Sequence, residues 1–423
     1  MYDFLLTSEE RRLRDDVRRF VREEVAPDFL RTLDRDEITY PRQYVENLAR
    51  HNLLGLRFPK QWGGRGMNWV AEVAALEEIG CLGMALGCAF SMPSIVGEAL
   101  DKFGTDAQKE KYLRPMLEGK LVSAEALTEP RGGSDFFGAT TKAVLQGDQF
   151  ILNGQKRFVV GAEGADFYLV YCKTNFEPGA HKYNRISLII VDKGPGVSVD
   201  YQYGLLGCRG GGTGRLVFRD VVVPKANCVG ELHSGAICFN QMMIPERLTS
   251  AAGCLGTWGA LDVALRYSNR RAAFGKLIRH FQAVSFMLAD SITQLDAARG
   301  IVYLAARAVD ENYPNVRRLV SEAKKFATKA AWDVVNNAMQ VMGGIGYTDV
   351  YPIERSLRDT RLSMIWTGTS EIMNLLIQHE YFDEVLNQPY DRRLPERDAM
   401  KPDETERCFT DEDMWRIHDK AGS

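Results

Sequence analysis

No CxxC pair occurs anywhere in the chain. The eight cysteines (Cys81, Cys88, Cys172, Cys208, Cys228, Cys238, Cys254 and Cys408) are scattered, and the six histidines stand alone. That spacing offers no zinc site and no disulfide frame, so reduced thiols in a reducing compartment are expected. No run of about 18 apolar residues exists, so no membrane span is expected. The first ten residues have no basic start followed by an apolar run, and no secretory signal is read there. The cytoplasm is the default location, or the mitochondrial matrix if the protein is eukaryotic and a transit peptide was removed. The net charge is only −3, which gives no general pull toward nucleic acid. What remains is a globular composition, 45% hydrophobic and 26% charged over 423 residues, long enough for two or three domains.

The hydrophobic period changes twice along the chain. Thr7 and Ser8 followed by Glu9 and Glu10 read as a helix start, with Leu13, Val17, Phe20, Val21 and Val25 on one face. Pro27 is expected to end or kink that helix, and Pro41 to open the next, with Tyr44, Val45 and Leu48 inward. Further helices are predicted from Trp69 to about Leu86 and from about Ser94 to Gly104. Thr105 with Gln108 forms a capping box before Tyr112 and Leu113. From Ala139 the period is two. Gln146-Gly147-Asp148 and Asn153-Gly154 read as turns between strands, and Pro224 closes the region. Helical stripes return near Ala236. They run through Met242–Tyr267, through Val284, Leu288, Ile292, Leu295 and Ile301, and through Val316, Leu319, Val320, Ala323, Phe326, Val334 and Met342. After His379 the composition turns polar, with Trp415 and Ile417 able to dock the end of the chain. The expected fold is mostly α with a β insert. Residues 1–121 form an N-terminal α-helical domain, 122–233 a small β-barrel or sandwich, 234–383 a four-helix bundle, and 384–423 a polar extension.

The first change of period falls at Ala126-Leu127-Thr128-Glu129-Pro130-Arg131-Gly132-Gly133-Ser134-Asp135. Pro130 stiffens the turn, and Gly132 and Gly133 bare backbone N–H groups between the hydroxyls of Thr128 and Ser134. Such a turn suits a polar, planar or anionic ligand, and a plain structural turn is equally compatible. The glycine-rich Pro59–Gly66 stretch lacks a leading strand and reads as a loop.

The wording of that segment resembles the flavin-contacting segment of the acyl-CoA dehydrogenase family. Four more segments match the family in order: Lys156-Arg157-Phe158-Val159-Val160, Arg270–Lys276, Gln340–Tyr347, and Trp366-Thr367-Gly368-Thr369-Ser370-Glu371-Ile372. The resemblance covers roughly Leu5 to Glu380. It implies an acyl-CoA substrate, FAD as cofactor and an electron-transfer flavoprotein as partner. It also implies a homotetramer, a dimer of dimers with FAD shared across a subunit interface. Cofactor contacts carried over are Leu127, Thr128, Gly133, Ser134, Phe158, Val160, Arg271, Phe274, Gln282, Gln340, Gly343, Gly344, Thr369 and Glu371. Arg271 offers a forked cation to a pyrophosphate, or is a surface charge. Gly343 and Gly344 bare N–H groups, or cap a helix. Substrate contacts carried over are Ser134, Arg247, Trp366, Thr367 and Gly368.

Three departures from the family pattern matter. Phe158 stands where tryptophan is usual, and Val160 where threonine is usual, which removes one hydroxyl from the flavin's surroundings. Thr367 stands where many members carry the catalytic glutamate, and a neutral hydroxyl cannot remove a carbon-bound proton. Glu246, in the apolar run Met242–Ser250, matches the base position of isovaleryl-CoA and long-chain acyl-CoA dehydrogenases. Burial there should raise its pKa. The bland alternatives are that Glu246 pairs with Arg247, or sits in a first helical turn after Pro245. The implied reaction takes the α-proton onto Glu246 and the β-hydride onto flavin N5, giving a trans-2-enoyl-CoA. With Thr367 smaller than glutamate, a branched, cyclic or aromatic acyl group is expected. The absence of arginine in Met84–Ala89 argues against a dicarboxylate. A flavin oxidase or monooxygenase, and a non-catalytic acyl-CoA-binding protein, are the rival readings.

Overall fold

In the computed structural model, residues 2–387, 393 and 395–398 are described. Five helices build the N-terminal domain: α1 (Ser8–Glu23), α2 (Pro27–Asp34), α3 (Arg42–Arg50), α4 (Trp69–Ile79) and α5 (Met84–Phe103). Short α6 (Asp106–Gln108) and α7 (Arg114–Leu117) close it, joined by a π-helical turn, Lys109–Leu113. The expected capping box of Thr105 with Gln108 is present, and the helix start expected at Thr7 is a second one, closed by Glu10. Pro27 does not merely stop α1, which ends at Glu23. It opens α2, where its fixed φ suits a first helical residue and its missing N–H costs nothing. The expected break after Leu86 instead falls at Gly83 (φ 112°), and α5 runs on through Pro93.

Every residue of α4 is buried. Its three glutamates are tolerable there because each meets a cation: Glu72 pairs with Arg57 (2.6 Å), Glu77 with Arg299 and Glu78 with Arg18 (2.9 Å).

The middle domain holds β1 (Ser123–Ala126), β2 (Lys142–Gln146), β3 (Gln149–Val159), β4 (Phe167–Lys173), β5 (Ile186–Asp192), β6 (Val197–Gln202), β7 (Gly214–Pro224) and β8 (Cys228–Val229). The sheet order is β6-β7-β3-β2-β4-β5-β8, with β1 parallel to β4. The Gly147-Asp148 turn joins β2 to β3 as expected. Asn153-Gly154 is not a turn. β3 runs through it, and its register against β7 slips there as a bulge. Glycine fits because a Cβ at 154 would stand 2.7 Å from the Thr141 backbone.

The C-terminal domain is helical: α8 (Gly235–Leu255), α9 (Trp258–Ser268), the β9–β10 ribbon (Ala272–Ala273, Lys276–Leu277), α10 (Gln282–Asp310), α11 (Val316–Met342), α12 (Ile353–Ser363) and α13 (Ser370–Asn387). The stripes of α10 and α11 bury Leu295, Leu319, Val320, Ala323, Val334 and Met342, but Ile292 and Phe326 face outward, 40% and 42% exposed. Leu248, Val302 and Val320 share one apolar core with Leu13, Val17 and Leu76. The chain divides into two units at Tyr381/Phe382, and the elements up to Tyr381 carry everything that follows. The polar extension lies largely outside the described residues, and Trp415 and Ile417 wholly so.

The turn after α4 meets the end of α8 backbone to backbone. A Cβ on Gly80 would stand 2.2 Å from the Gly253 carbonyl oxygen, and one on Gly256 2.2 Å from the Gly80 carbonyl carbon. Gly256→Ala should therefore force the two apart and lower stability by about 1–3 kcal/mol. A lower denaturant midpoint with an unchanged m-value would register it.

Candidate active site

β1, the loop after it, the end of β3, α5, α8 and the turn before α13 enclose one cavity of about 1550 Å³. Leu127, Thr128, Gly133 and Ser134 form one wall, with Phe158 and Val160 beside them. A buried ion pair fixes this wall. Lys156 Nζ lies 2.8 Å from Glu129 Oε1 and donates to the Leu127 carbonyl at 3.0 Å. Glu129 also accepts from the Thr140 and Thr141 amides at 2.6 and 2.9 Å. These donors outweigh burial and depress its pKa to about 2. Beyond the pair, the Arg157 amide donates to the Thr128 carbonyl at 2.8 Å. Phe158 adopts a left-handed backbone (φ 56°), is 48% exposed and lines the cavity, with the Tyr203 ring packed against its own at 4.7 Å between centroids.

The opposite wall belongs to α8 and the turn before α13. Thr367 (φ 48°) and Gly368 (φ 84°) are both left-handed. A threonine held there is strained by about 1–3 kcal/mol, a device common at functional sites. The turn is tied down at both ends. Lys324 Nζ donates to the Gly368 carbonyl at 2.6 Å, and Trp366 Nε1 donates to Ser250 Oγ on α8 at 3.1 Å. Thr367 Oγ1 is buried without a partner.

Glu246 lines the same cavity. It stands in the middle of α8, not in a first turn, because Pro245 lies inside the helix. Nor is it simply paired with Arg247, whose guanidinium donates to Ser321 Oγ at 2.9 Å and to the Met243 sulfur. Glu246 Oε1 is buried with no partner. Burial pushes its pKa up to about 7, against the opposing charge of Arg247 and a hydrogen bond shared with Glu125.

Sequence reasoning passed over Glu125. It is the one acidic residue of β1 and lines the cavity with its own Oε1 unpartnered. Burial first, then the charge of Glu246, raises its pKa well above the carboxylate range. The available signal was a carboxylate between two alanines in a buried strand, Ala124-Glu125-Ala126. Burying a charge there needs a reason.

Of the residues carried over by resemblance, Leu127, Thr128, Gly133, Ser134, Phe158, Val160, Glu246, Arg247, Trp366, Thr367, Gly368 and Thr369 line this cavity. Arg271, Phe274, Gln282, Gln340, Gly343, Gly344 and Glu371 do not, and they are exposed on this chain. Arg271 and Phe274 flank the β9 strand, Gln282 opens α10, and Gln340, Gly343 and Gly344 stand at the end of α11.

Residues 7–120 match the family described as acyl-CoA dehydrogenase, N-terminal domain, residues 124–221 its middle domain and residues 233–382 its C-terminal domain. The chain is 36% identical over 377 residues to the caffeyl-CoA reductase-Etf complex subunit CarC of Acetobacterium woodii, covering 88% of this chain and 97% of that one. It is 38% identical over 344 residues to 3-(aryl)acrylate reductase of Clostridium sporogenes, covering 80% and 89%. The butyryl-CoA dehydrogenase structure from Megasphaera elsdenii superposes with a TM-score of 0.85 at 32% identity, over 89% of this chain and 99% of that one. Matched along all three of its domains, the chain belongs to the acyl-CoA dehydrogenase family.

Proposed function

We propose that this enzyme is an FAD-dependent acyl-CoA dehydrogenase that uses Glu246 as its base on a branched, cyclic or aromatic acyl-CoA. The observation that carries the base assignment is a carboxyl group in mid-helix, lining the cavity, with Oε1 buried and unpartnered and a pKa near neutrality. A base in that state can accept a proton at neutral pH.

The cavity fits FAD. It is larger than a short acyl group needs, it presents the half-exposed Phe158 ring, and it leaves Thr367 Oγ1 without a protein partner. FAD, when bound, supplies the two-electron acceptor for the β-hydrogen. Thr128, Phe158 and Val160 hold and orient its ring in this reading. Arg271, Phe274, Gln282, Gln340, Gly343 and Gly344, exposed on this chain, serve the cofactor of a neighbouring copy in a homotetramer. Glu246 takes the α-proton onto a carboxylate oxygen. The Thr367 backbone N–H donates to the thioester oxygen as it gains charge. Ser134 lies along the acyl-CoA arm.

Room for a bulky acyl group is supported by α5. A Cβ built on Gly87, which lines the cavity, would meet nothing within 4 Å. The aryl and caffeyl names of the two relatives fit the same class. The electrons leave through an electron-transfer flavoprotein, as the Etf complex of one relative suggests. Those two relatives are reductases by name, and the same residue roles serve the reverse reaction, with protonated Glu246 returning the α-proton.

A panel of acyl-CoA esters tests the reading. Anaerobic addition of branched, cyclic or aryl esters should bleach the flavin, and added electron-transfer flavoprotein should restore its colour. A protein that takes up no FAD, or whose flavin no acyl-CoA ester bleaches, would refute it.

A further inference from the structure

The base is one half of a pair. Glu125 reaches it from β1 and Glu246 from α8, and each has a buried Oε1 that no protein donor satisfies. Two ionised carboxylates offer each other only acceptors, and in a buried site they repel. The contact becomes favourable when one of them carries a proton and donates it to the other.

The surroundings decide which one. Arg247, next to Glu246 on α8, favours the charged form of Glu246. Arg317 of α11, ion-paired with Glu380 of α13 at 3.4 Å, lies beyond Arg247. Among the described residues no cation acts on Glu125. Its other polar neighbour is the buried Tyr171 phenol on β4, held neutral with the Cys238 thiol of α8 behind it; the phenol favours a charged Glu125, but less than burial and the charge of Glu246 oppose one. The charge therefore rests on the α8 side of the pair and the proton on the β1 side.

We infer that Glu125 is a positioning residue for the reaction: it holds the single proton of the pair in the resting enzyme and donates it as a hydrogen bond to Glu246, which keeps Glu246 ionised and oriented to receive the α-proton. This rests on Glu246 being the base. The balance is simple. The α C–H bond breaks and an O–H bond forms on Glu246. The C–H electron pair becomes the α,β double bond as a hydride leaves the β-carbon, for which FAD, when bound, would supply the two-electron acceptor. The pair passes from one proton to two and becomes neutral, and one proton must leave before the next turnover. The two carboxyl groups titrate as a unit.

The test compares Glu125→Ala and Glu125→Gln holoenzymes with wild type, using an ester that bleaches the flavin. Alanine removes the donor, so burial acts on Glu246 with less opposition. The acid limb of the bleaching rate should move upward by about one pH unit, roughly a tenfold loss of rate on the acid side. Glutamine keeps an N–H donor and should bring the limb back toward wild type. The substrate-free enzyme gives a readout independent of turnover. Its infrared spectrum at pH 8, above the Glu246 value of about 7, should contain a protonated carboxyl band that survives Glu246→Gln and largely vanishes in Glu125→Gln. An acid limb in Glu125→Ala coincident with wild type, or no such band, overturns the inference. Should Glu125→Ala fail to fold, the glutamine variant and the band still decide. Undiminished bleaching by Glu246→Gln would instead defeat the base assignment, so the two failures are distinguishable.

Discussion

Glu246→Gln is expected to lower turnover by about 10²–10⁴, the usual contribution of a positioned general base, while FAD content and fold persist. The amide keeps the shape of the side chain and loses its capacity to take a proton. In wild type the same carboxyl sets a pH dependence. With its pKa raised to about 7, the ionised base is scarce in acid, so the bleaching rate should climb as pH rises through neutrality and then level off. Stability should run the other way. Between the unfolded value near 4.5 and about 7 the folded protein holds a proton that the unfolded chain has lost, so stability falls as pH rises across that window. Above it, burial of the charge costs wild type a contribution that glutamine does not carry. The variant should therefore be more stable than wild type at pH 8, by about 1–3 kcal/mol, while being far less active. Loss of activity accompanied by loss of stability would point to a structural role instead. Parallel denaturant melts and single-turnover bleaching would separate the two.

The sequence carried the parts of this site whose signal is local. A capping box needs residues three apart, and Thr105 with Gln108 formed as read, as did the helix start at Thr7. The limits of α11 and the turn between β2 and β3 were legible for the same reason. What failed depended on distant partners. Asn153-Gly154 has the composition of a hairpin turn. Its glycine instead answers the approach of Thr141, 13 residues away. Ile292 and Phe326 satisfy the helical period yet face outward on this chain, because a period says which residues share a face and not what covers it. Glu125 left only a faint mark, a carboxylate between two alanines, for a related reason. It gains its meaning from Glu246, 121 positions later, and nothing in the local pattern links a strand of the middle domain to a helix of the bundle. The pairing of Glu129 with Lys156 was likewise hidden inside two segments read only for their cofactor contacts.

That last pair supports the second large effect. Lys156→Met should destabilise the protein by about 3–5 kcal/mol, because it strands a buried carboxylate. Glu129 and Lys156 have side chains 3% and 0% exposed, and the Lys156 ammonium supplies the only cation paired with Glu129 among the described residues. The Thr140 and Thr141 amides would remain as donors, but they do not neutralise the charge. In the unpaired state Glu129 should take up a proton more readily. Wild type should lose stability in acid as follows. The folded pKa of about 2 lies below the unfolded value of 4.5, so the contribution is complete above 4.5 and disappears as pH falls toward 2. Lys156→Met should show a smaller loss over the same window, since most of the contribution is already gone. The cavity should feel the change too, because Lys156 also holds the Leu127 carbonyl and the segment from Leu127 to Ser134 forms one wall. FAD retention should therefore weaken together with the melting temperature. Replacing both partners, Glu129→Leu with Lys156→Met, should recover part of the stability, since an apolar pair strands no charge. FAD retention should recover less, because Glu129 is also what holds the Thr140 and Thr141 amides against the loop, and leucine cannot accept those hydrogen bonds.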